Sequence, residues 1–388
     1  MIRVVHLITG LGTGGAERML HKFLCGSDHS RYRHCVISMT DIGPIGTLIR
    51  DDLHLELHTL EMQQGVPNPL GIFRLTRLLR TLQPDILQTW MYHSDLLGLL
   101  VGRLAGVRRI VWSLRCSTMQ SGGRKLDWTK QILARLSTRP DAILVNSLAG
   151  QVYHESLGYR PRRWVRIPNG FDVTEYRPDP EARRRLRSEL GLEPDTLLVG
   201  IVARFNPMKD HDTFLEAAAR VHQRRPDVHF VLIGADVVPE NPFFATRIPA
   251  LGLTGCIHLT GKRHDIALIN AALDVAVSSS IGEGFSNTIG EAMACGVPCV
   301  ATDVGDSALL IGDAGRTVPA RDPEAMADAL LALLTLAPAE RREVGARARA
   351  RIVADYALDR VVEQYQTFYQ EMVIPLQPSA DKVPACAE

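Results

Sequence analysis

Short apolar runs alternate with longer amphipathic stretches along most of the chain, beginning with IRVVHLI at residues 2–8. Runs of that length bounded by turn residues read as buried strands, and stretches with apolar positions three and four apart read as helices lying against them. In the first half the pattern predicts strands at 2–8, 34–39, 54–60, 85–89, 109–113, 141–145 and 164–167. Helices near 15–25, 70–82, 94–106, 124–138 and 148–157 separate them. The second half repeats the scheme with strands at 197–203, 228–233, 256–259, 274–278 and 298–301, and a last helix near 359–372. Strand regularly followed by helix predicts the α/β class, with two doubly wound parallel sheets that bind ligand at the carboxyl ends of their strands.

Between the halves lies IPNGFDVTEYRPDPE, punctuated by Pro168, Asn169, Gly170, Pro178 and Pro180, a composition that marks a linker. The expected division is a Rossmann-like domain over 1–170, a second over 171–373, and a frayed tail, IPLQPSADKVPACAE, over 374–388. A length of 388 residues exceeds what one core usually supports, and 46% hydrophobic with 22% charged residues is a globular composition. No apolar run is long enough to span a bilayer and no secretory signal opens the chain, so the expected location is cytoplasmic. Seven cysteines at irregular spacing fit neither a disulfide framework nor a metal-binding pattern.

The net charge of +1 conceals an asymmetry. Residues 1–170 carry 22 Lys and Arg against 12 Asp and Glu, a net +10, while residues 171–388 carry 22 against 31, a net −9. A basic half suits an anionic partner such as a membrane surface. The chain lacks the aromatic-interleaved basic runs and zinc-finger spacing of nucleic-acid binders, so nucleic acid is not expected as a partner. LGIFRLTRLLRTLQP sets Arg74, Arg77 and Arg80 against Leu70, Phe73, Leu78, Leu79 and Leu82, and Arg103, Arg108 and Arg109 follow. An ordinary amphipathic helix packed on the sheet explains this stretch as well as a membrane contact does.

The loop HLITGLGTGGAER places Gly10, Gly12 and Gly15 at G-x-G-x-x-G spacing directly after the first strand. With Asp41 at the end of the second strand, this pattern supports an NAD-dependent oxidoreductase as one reading. A nucleotide-sugar epimerase is another, and a two-lobed binding protein a third.

The stretch that separates these readings is SSSIGEGFSNTIGEAMACGVPCVATDVG, residues 278–305. A strand runs into a glycine-rich loop carrying Glu283. A helix of about two turns then starts near Asn287 or Thr288, and Gly296 and Pro298 stop it. Free N–H groups at that start, around Asn287, Thr288 and Ile289, suit a diphosphate. Glu291, one turn on, can accept two hydrogen bonds from a ribose diol, and Glu283 can do the same for a sugar. Either carboxylate alone reads as a solvated acid or a helix-dipole residue; two of them spaced E-x7-E around glycines are far more specific.

This stretch resembles the E-x7-E signature of the retaining, nucleotide-sugar-dependent glycosyltransferases of GT-B fold, the glycosyl transferases group one family. The likeness extends to GTGGAER near the start, PNGFD at the linker and VARFNPMKDHDTFLEA opening the second half. It implies two Rossmann-like domains facing across a cleft, with a C-terminal helix returning towards the first. It implies that Glu283 touches the donor sugar and Glu291 the nucleotide ribose, with Gly284, Phe285, Ser286, Asn287 and Thr288 around the donor and Gly14 and Gly15 on the opposite wall. Transfer would proceed with retention by front-face substitution, from a nucleotide-sugar, most commonly UDP-linked, to a glycan or polyprenyl-linked acceptor. A hexosyl or N-acetylhexosaminyl unit is the expected cargo, and no cofactor is implied.

Arg204 just past the strand at 197–203 and Lys209 five residues later are two cations able to neutralise a diphosphate leaving group, as the family's Arg and Lys do. Asp210, His211 and Asp212 spell D-x-D, but consecutive residues entering a helix cannot share one face, and no metal is expected. His93, beyond the strand at 85–89, is a candidate for positioning donor or acceptor, with Ser94 or Asp95 expected to cap the next helix. Cys116 falls where many family members have a sugar-contacting His, which leaves Arg115 or His93 to take that role. The base is expected near LTGKRHDI, through backbone groups around Lys262 and Arg263.

Overall fold

The computed structural model describes residues 1–63, 68–115 and 123–374; Cys116 and the tail beyond Ile374 lie outside them, as do the side chains of 123–125 and 127. The first sheet has seven strands: β1 Ile2–Ile8, β2 Tyr32–Ser38, β3 Glu56–Thr59, β4 Ile86–Trp90, β5 Arg109–Leu114, β6 Ala142–Val145 and β7 Trp164–Arg166. The second has six: β8 Leu197–Val202, β9 Val228–Ile233, β10 Ile257–Leu259, β11 Val275–Ser278, β12 Cys299–Thr302 and β13 Gly315–Val318. The orders are β3-β2-β1-β4-β5-β6-β7 and β10-β9-β8-β11-β12-β13, and the pairings are parallel, as between β1 and β4 or β8 and β11. Both sheets therefore reverse direction beside their first strand. The loops after β1, β4, β8 and β11 are the ones that border a ligand crevice in such a sheet.

Sequence periodicity locates every strand except β13, a four-residue strand with two exposed positions. It also overlooks the Gly43–Asp51 helix, whose Gly-Pro start reads as a turn. The arginine-rich Pro338–Arg351 helix escapes it as well, having no apolar stripe to signal it.

Alternation along β1 divides the first core in two. Val4 and Ile8 join Leu20, Phe23 and Trp90 on one face, while Val5 and Leu7 join Leu75, Leu99 and Trp112 on the other. The first of these faces is completed from the far end of the chain by Val361, Tyr365, Phe368, Tyr369 and Met372 of the Leu358–Val373 helix. The return helix is thus part of the first core. The second sheet is likewise covered on both faces.

At the foot of β11 the carboxylate of Asp274 gathers Arg183 at 2.6 Å, Arg187 at 2.7 Å and the Leu198 N–H at 2.9 Å. Arg187 is wholly buried, and desolvation pulls it down to about 10 against the pull of Asp274, which leaves it charged at neutral pH. Removing one partner of such a pair strands the other and costs about 3–5 kcal/mol.

A buried polar chain crosses the first core. Trp90 Nε1–H, which can only donate, lies 3.3 Å from His6 Nδ1. His6 must then donate from Nε2 to His34 Nδ1 at 3.1 Å, and His34 from Nε2 to Ser27 Oγ at 2.7 Å. Elsewhere in the first domain, His154 donates from Nδ1 to the Gly150 carbonyl at 2.6 Å and accepts from Tyr92 Oη at 2.9 Å. All three rings are neutral in this scheme.

Burial, with charge from His34, His29 and Lys130 as smaller contributions, holds His6 well below its ordinary value, His34 at about 3 and His154 at about 4. Between those values and about 6.5 the unfolded chain binds more protons than the folded one, so stability falls as pH drops through that window. Each ring contributes a slope of about 1.4 kcal/mol per pH unit. The urea midpoint is expected to fall steeply from pH 6.5 to pH 4.5, to which the buried His211, also lowered to about 4 by desolvation, adds its share, and His154→Gln to remove one ring's part, about 1.4 kcal/mol per pH unit; equilibrium denaturation across the range measures it, and a flat profile contradicts the neutral-ring scheme.

Candidate functional site

The turn after β8 and the loop after β11 are stitched together by backbone and hydroxyl groups. Ile281 N–H donates to the Met208 carbonyl at 2.9 Å, and Ser279 Oγ to the Lys209 carbonyl at 2.8 Å. Thr302 of β12 donates to the Ser280 carbonyl at 2.5 Å. These bonds bring Lys209 against Glu283, 74 residues away in sequence, as an ion pair. Ser280 Oγ donates to the same Glu283 oxygen at 2.8 Å. Lys209 ends a short 3-10 turn, Pro207–Lys209, immediately before Asp210, the cap of the His211–Arg224 helix. Arg204 follows β8 and is exposed.

The Asn287–Ala294 helix begins beside this pair, and Gly296, at φ +75°, ends it as expected. Its cap residue Ser286 makes no side-chain cap bond, and Ser286 Oγ is buried without a partner among the described residues. The first-turn N–H groups of Asn287, Thr288 and Ile289 are thus spared side-chain capping and offer an anion site. Phe285 differs from expectation in that its ring joins the core against Phe171, centroids 6.1 Å apart, and Tyr356 at 5.7 Å. It anchors the loop, and only its backbone and that of Gly284 remain for a ligand.

Glu291 sits one turn into this helix with its side chain 12% exposed. Desolvation raises its pKa, opposed by Lys22 and Arg18. Lys22 comes from the Gly15–Gly26 helix of the first half, with Nζ 3.7 Å from Glu291 Oε1 and 5.6 Å from the Tyr176 ring centre. The helix that follows the glycine-rich loop therefore meets Glu291 across the cleft. A Cβ at Gly15 would lie 3.6 Å from Asn287 Nδ2, while Gly14 is the helix cap with Glu17 folded over it. The opposite flank of the same loop is closed: Leu11 is buried with Ile45, whose N–H donates to the Leu11 carbonyl at 3.1 Å.

A second bridge spans the cleft. Arg115 donates to Asn169 Oδ1 at 2.8 Å and to Tyr365 Oη, with its guanidinium 4.7 Å over the Trp90 ring. Asn169 Nδ2 donates in turn to Asn287 Oδ1 at 2.8 Å. Arg115 is thereby a strut between the two halves, already engaged by protein groups. Cys116 lies outside the described residues.

His93 is the second residue of the Tyr92–Leu104 helix, half-buried, and burial lowers its pKa. That helix starts two residues earlier than periodicity predicts, so neither Ser94 nor Asp95 is its cap; Met91, at φ +78°, is. Ser94 Oγ accepts from Trp90 N–H at 3.0 Å. Asp95 is fully buried, accepts from Thr89 Oγ1 at 2.5 Å, and is pushed well up by desolvation. Both residues tie the helix start to β4 from inside the helix, which fixes where His93 stands.

The D-x-D residues go separate ways. Asp210, in the left-handed region at φ +47°, caps its helix and accepts from Thr213 Oγ1 at 2.7 Å, while Asp212 pairs with Arg247 at 2.5 Å. Among the described residues one group of potential ligands lies within metal reach of itself, Cys35, Glu56 and His58, on strands β2 and β3. Burial and the adjacent Glu56 push the Cys35 thiol up to about 12, so it is not a thiolate near neutrality. The guanidinium of Arg263 is held by Asp265 at 2.7 Å and by Glu189, leaving backbone groups there for a base.

Sequence reading passes over Lys22, Asn169 and Ser280 as site members. Asn169 stands in the quoted PNGFD and reads there as turn chemistry alone; Lys22 carries no local signal, because its partner is contributed by the other half.

The first half, residues 13–175, matches the description Glycosyltransferase Family 4, and residues 196–336 match Glycosyl transferases group 1. The chain is 26% identical over 313 residues, 78% of its length and 80% of the relative's, to the UDP-Gal:alpha-D-GlcNAc-diphosphoundecaprenol alpha-1,3-galactosyltransferase of Escherichia coli. It is 28% identical over 268 residues, 66% of its length and 72% of the relative's, to the lipopolysaccharide core biosynthesis mannosyltransferase LpsB of Rhizobium meliloti. Among solved structures, Anabaena HepE in complex with UDP superposes with a TM-score of 0.82 at 23% identity, covering 95% of this chain and all of that one. The sucrose-phosphate synthase of Thermosynechococcus elongatus superposes at 0.79 with 19% identity, covering 95% and 99%. The two sequence matches fall on the two sheets in turn, and the chain belongs to the group 1 glycosyltransferases, family 4, retaining enzymes of GT-B fold.

Proposed function

We propose that this enzyme moves a hexosyl or N-acetylhexosaminyl unit from a UDP-sugar to a lipid-linked or glycan acceptor, with retention and without a metal, in cell-surface polysaccharide or lipopolysaccharide synthesis. The observation that carries the reading is the Lys209–Glu283 pair set beside the uncapped start of the Asn287–Ala294 helix, with Glu291 one turn further on. In this reading residues 1–170 form the acceptor-side domain and the segment from 171 the donor domain, up to the return helix Leu358–Val373, which packs back on the first. Of the relatives named above, one transfers galactose from UDP-Gal to a GlcNAc-diphosphoundecaprenol and the other is a mannosyltransferase of lipopolysaccharide core biosynthesis, and HepE is seen in complex with UDP, which supports donor and acceptor class alike.

The roles follow from charge. The helix N–H groups, Lys209 and Arg204 receive the diphosphate, and Glu291 accepts from the ribose hydroxyls. Glu283, held by Ser280 and Lys209, accepts from hydroxyls of the donor sugar. As the bond from the anomeric carbon to the phosphate oxygen breaks, its electron pair goes to the diphosphate, where the cations stabilise it. The acceptor oxygen bonds to the same face of that carbon and passes its proton to the leaving phosphate oxygen. His93, on the first domain's side, orients the incoming group, and the protein supplies position and field.

Incubation with UDP-, GDP- and ADP-sugars, with and without membrane lipid extract, tests this through nucleotide release. UDP release dependent on lipid is expected, unchanged by chelator. Lys209→Ala and Glu283→Gln are expected to lower kcat by about 10²–10³, and His93→Ala to lower kcat with UDP affinity kept. Release from GDP- or ADP-sugars alone, or activity lost to chelator and restored by magnesium or manganese, overturns the corresponding part.

The acceptor domain also offers a membrane surface on the cytoplasmic face. No helix among the described residues is long and apolar enough to cross a bilayer. In the Pro69–Leu82 helix Leu75 and Leu79 are buried, whereas Leu70 and Phe73, expected on the buried face, are 59% and 65% exposed beside Arg74 and Arg77. Leu100, Leu104 and Trp128 of the neighbouring helices are exposed as well. Apolar tips among arginines suit an anionic lipid surface. Binding to anionic liposomes is expected to weaken with salt and to drop about tenfold or more in Phe73→Ser/Arg77→Glu; binding equal to that of neutral liposomes rules the surface out.

A further inference from the structure

The loop after β12 carries a carboxylate that crosses the cleft. Asp306 Oδ2 accepts from Leu148 N–H at 2.7 Å and Oδ1 from Ala149 N–H at 2.8 Å. Leu148 and Ala149 open the Leu148–Ser156 helix on the first sheet, and that helix's own cap, Ser147 Oγ, accepts only from Gly150 N–H at 3.0 Å. The first two N–H groups of a first-domain helix are thus satisfied by a second-domain side chain. A bidentate carboxylate on a helix start also meets the positive end of the helix dipole.

The backbone of the same residue faces the donor loop. Asp306 N–H donates to the Gly284 carbonyl at 3.1 Å. The preceding Gly305, at φ +60°, lies flat against the Glu283 and Gly284 carbonyls, where a side chain would collide. One residue therefore touches the opposite domain with its side chain and the Glu283–Gly284 peptide with its backbone. Asp306 is 7% exposed in this arrangement; separating the domains exchanges both of its charge-assisted bonds for water.

We infer that Asp306 is a positioning residue that couples closure of the two domains to the placement of Glu283. When the Leu148–Ser156 helix docks on its carboxylate, the 305–306 peptide is held against the 283–284 peptide, and the backbone that carries the sugar-facing glutamate, whose side chain Ser280 and Lys209 already hold, takes its final position in the closed form. The inference rests on reading 283–291 as the donor site. Because nucleotide contacts lie within the second domain, losing the latch leaves UDP affinity intact and removes turnover.

The test uses three variants of the full chain: Asp306→Ala, Asp306→Asn and Leu148→Pro. The last deletes one donated N–H without breaking the helix, since the first helical position tolerates proline and Ser147, at φ −152° and ψ 151°, already has the extended backbone required before it. UDP affinity by calorimetry is expected to stay within about twofold, while kcat falls about 10- to 100-fold in Asp306→Ala and less in Leu148→Pro. The Asp306→Ala/Leu148→Pro double variant is expected to be no worse than Asp306→Ala, because both remove one contact. Small-angle scattering with UDP is expected to show a larger radius of gyration in Asp306→Ala than in the parent, a readout independent of turnover.

Unchanged kcat in Asp306→Ala, or losses that multiply in the double variant, overturn the latch. Loss of UDP affinity in step with kcat shows a merely structural residue and overturns it too. If the parent turns over no nucleotide-sugar, the donor reading fails by itself, and the scattering comparison still decides whether Asp306 holds the domains closed.

Discussion

The chain passes between the two halves twice, and the two passages are hydrogen-bonded to each other. Phe171 N–H donates to the Tyr356 carbonyl at 2.9 Å and Leu358 N–H to the Phe171 carbonyl at 2.8 Å, a single parallel bridge between linker and return segment. Both crossings lie at this strap, so any relative motion of the domains is referred to it. Phe171 also reaches into the donor domain, where its ring fills the space that a side chain at Gly290 would need. A glycine in the middle of a short helix is ordinarily a cost of about 1 kcal/mol against alanine; here it lets the hinge aromatic lie on the helix whose start carries no side-chain cap. The strap and the anion site are one packing unit.

From that strap outward, the cleft is spanned by polar groups. Arg115, Asn169 and Asn287 form one line, Lys22 and Glu291 a second, and Asp306 with the Leu148–Ser156 helix a third. Contacts of this kind are satisfied equally well by water when the domains part, whereas a large apolar interface would lock them together. The lines also divide the work. The Arg115 line is backed by Tyr365 of the return helix, while the other two join side chains and helix N–H groups of the two halves directly. Glu291 illustrates the consequence: a buried carboxylate of one half is held by a lysine from the opposite wall, so its charge is compensated across the cleft.

How much can be read from sequence depends on the range of the forces involved. Strand and helix periodicity is local, and it locates twelve of the thirteen strands, the exception being the short half-exposed β13. The helix that follows Ser286 and its stop at Gly296 are legible because capping and left-handed glycine are single-residue chemistry. The meeting of Lys209 with Glu283 is legible only through a pattern learned from other chains, since nothing within either segment refers to the other. Arg187 and Asp274 show the limit: an arginine in PEARRRLRSE looks solvated, and only the fold reveals that it is buried on a carboxylate 87 residues away.

The same limit explains why some expected site residues turn out to hold structure. Arg115, Phe285 and the Arg263 side chain all belong to segments that line the cleft, and sequence position alone gives a side chain on such a segment no reason to turn inward or outward. In the fold Phe285 turns in because Phe171 and Tyr356 offer an apolar wall, and Arg115 turns to Trp90, Asn169 and Tyr365 because a guanidinium there finds a ring face and two acceptors. Each such residue frees its neighbour. With Phe285 anchored, the backbone of Gly284 and the carboxylate of Glu283 are presented together. With Asp265 and Glu189 holding Arg263, the loop after β10 keeps a fixed edge. A transferase that stabilises charge by position needs these anchors as much as it needs the charges, because a field acts on the reacting bond only while the groups that make it stay still.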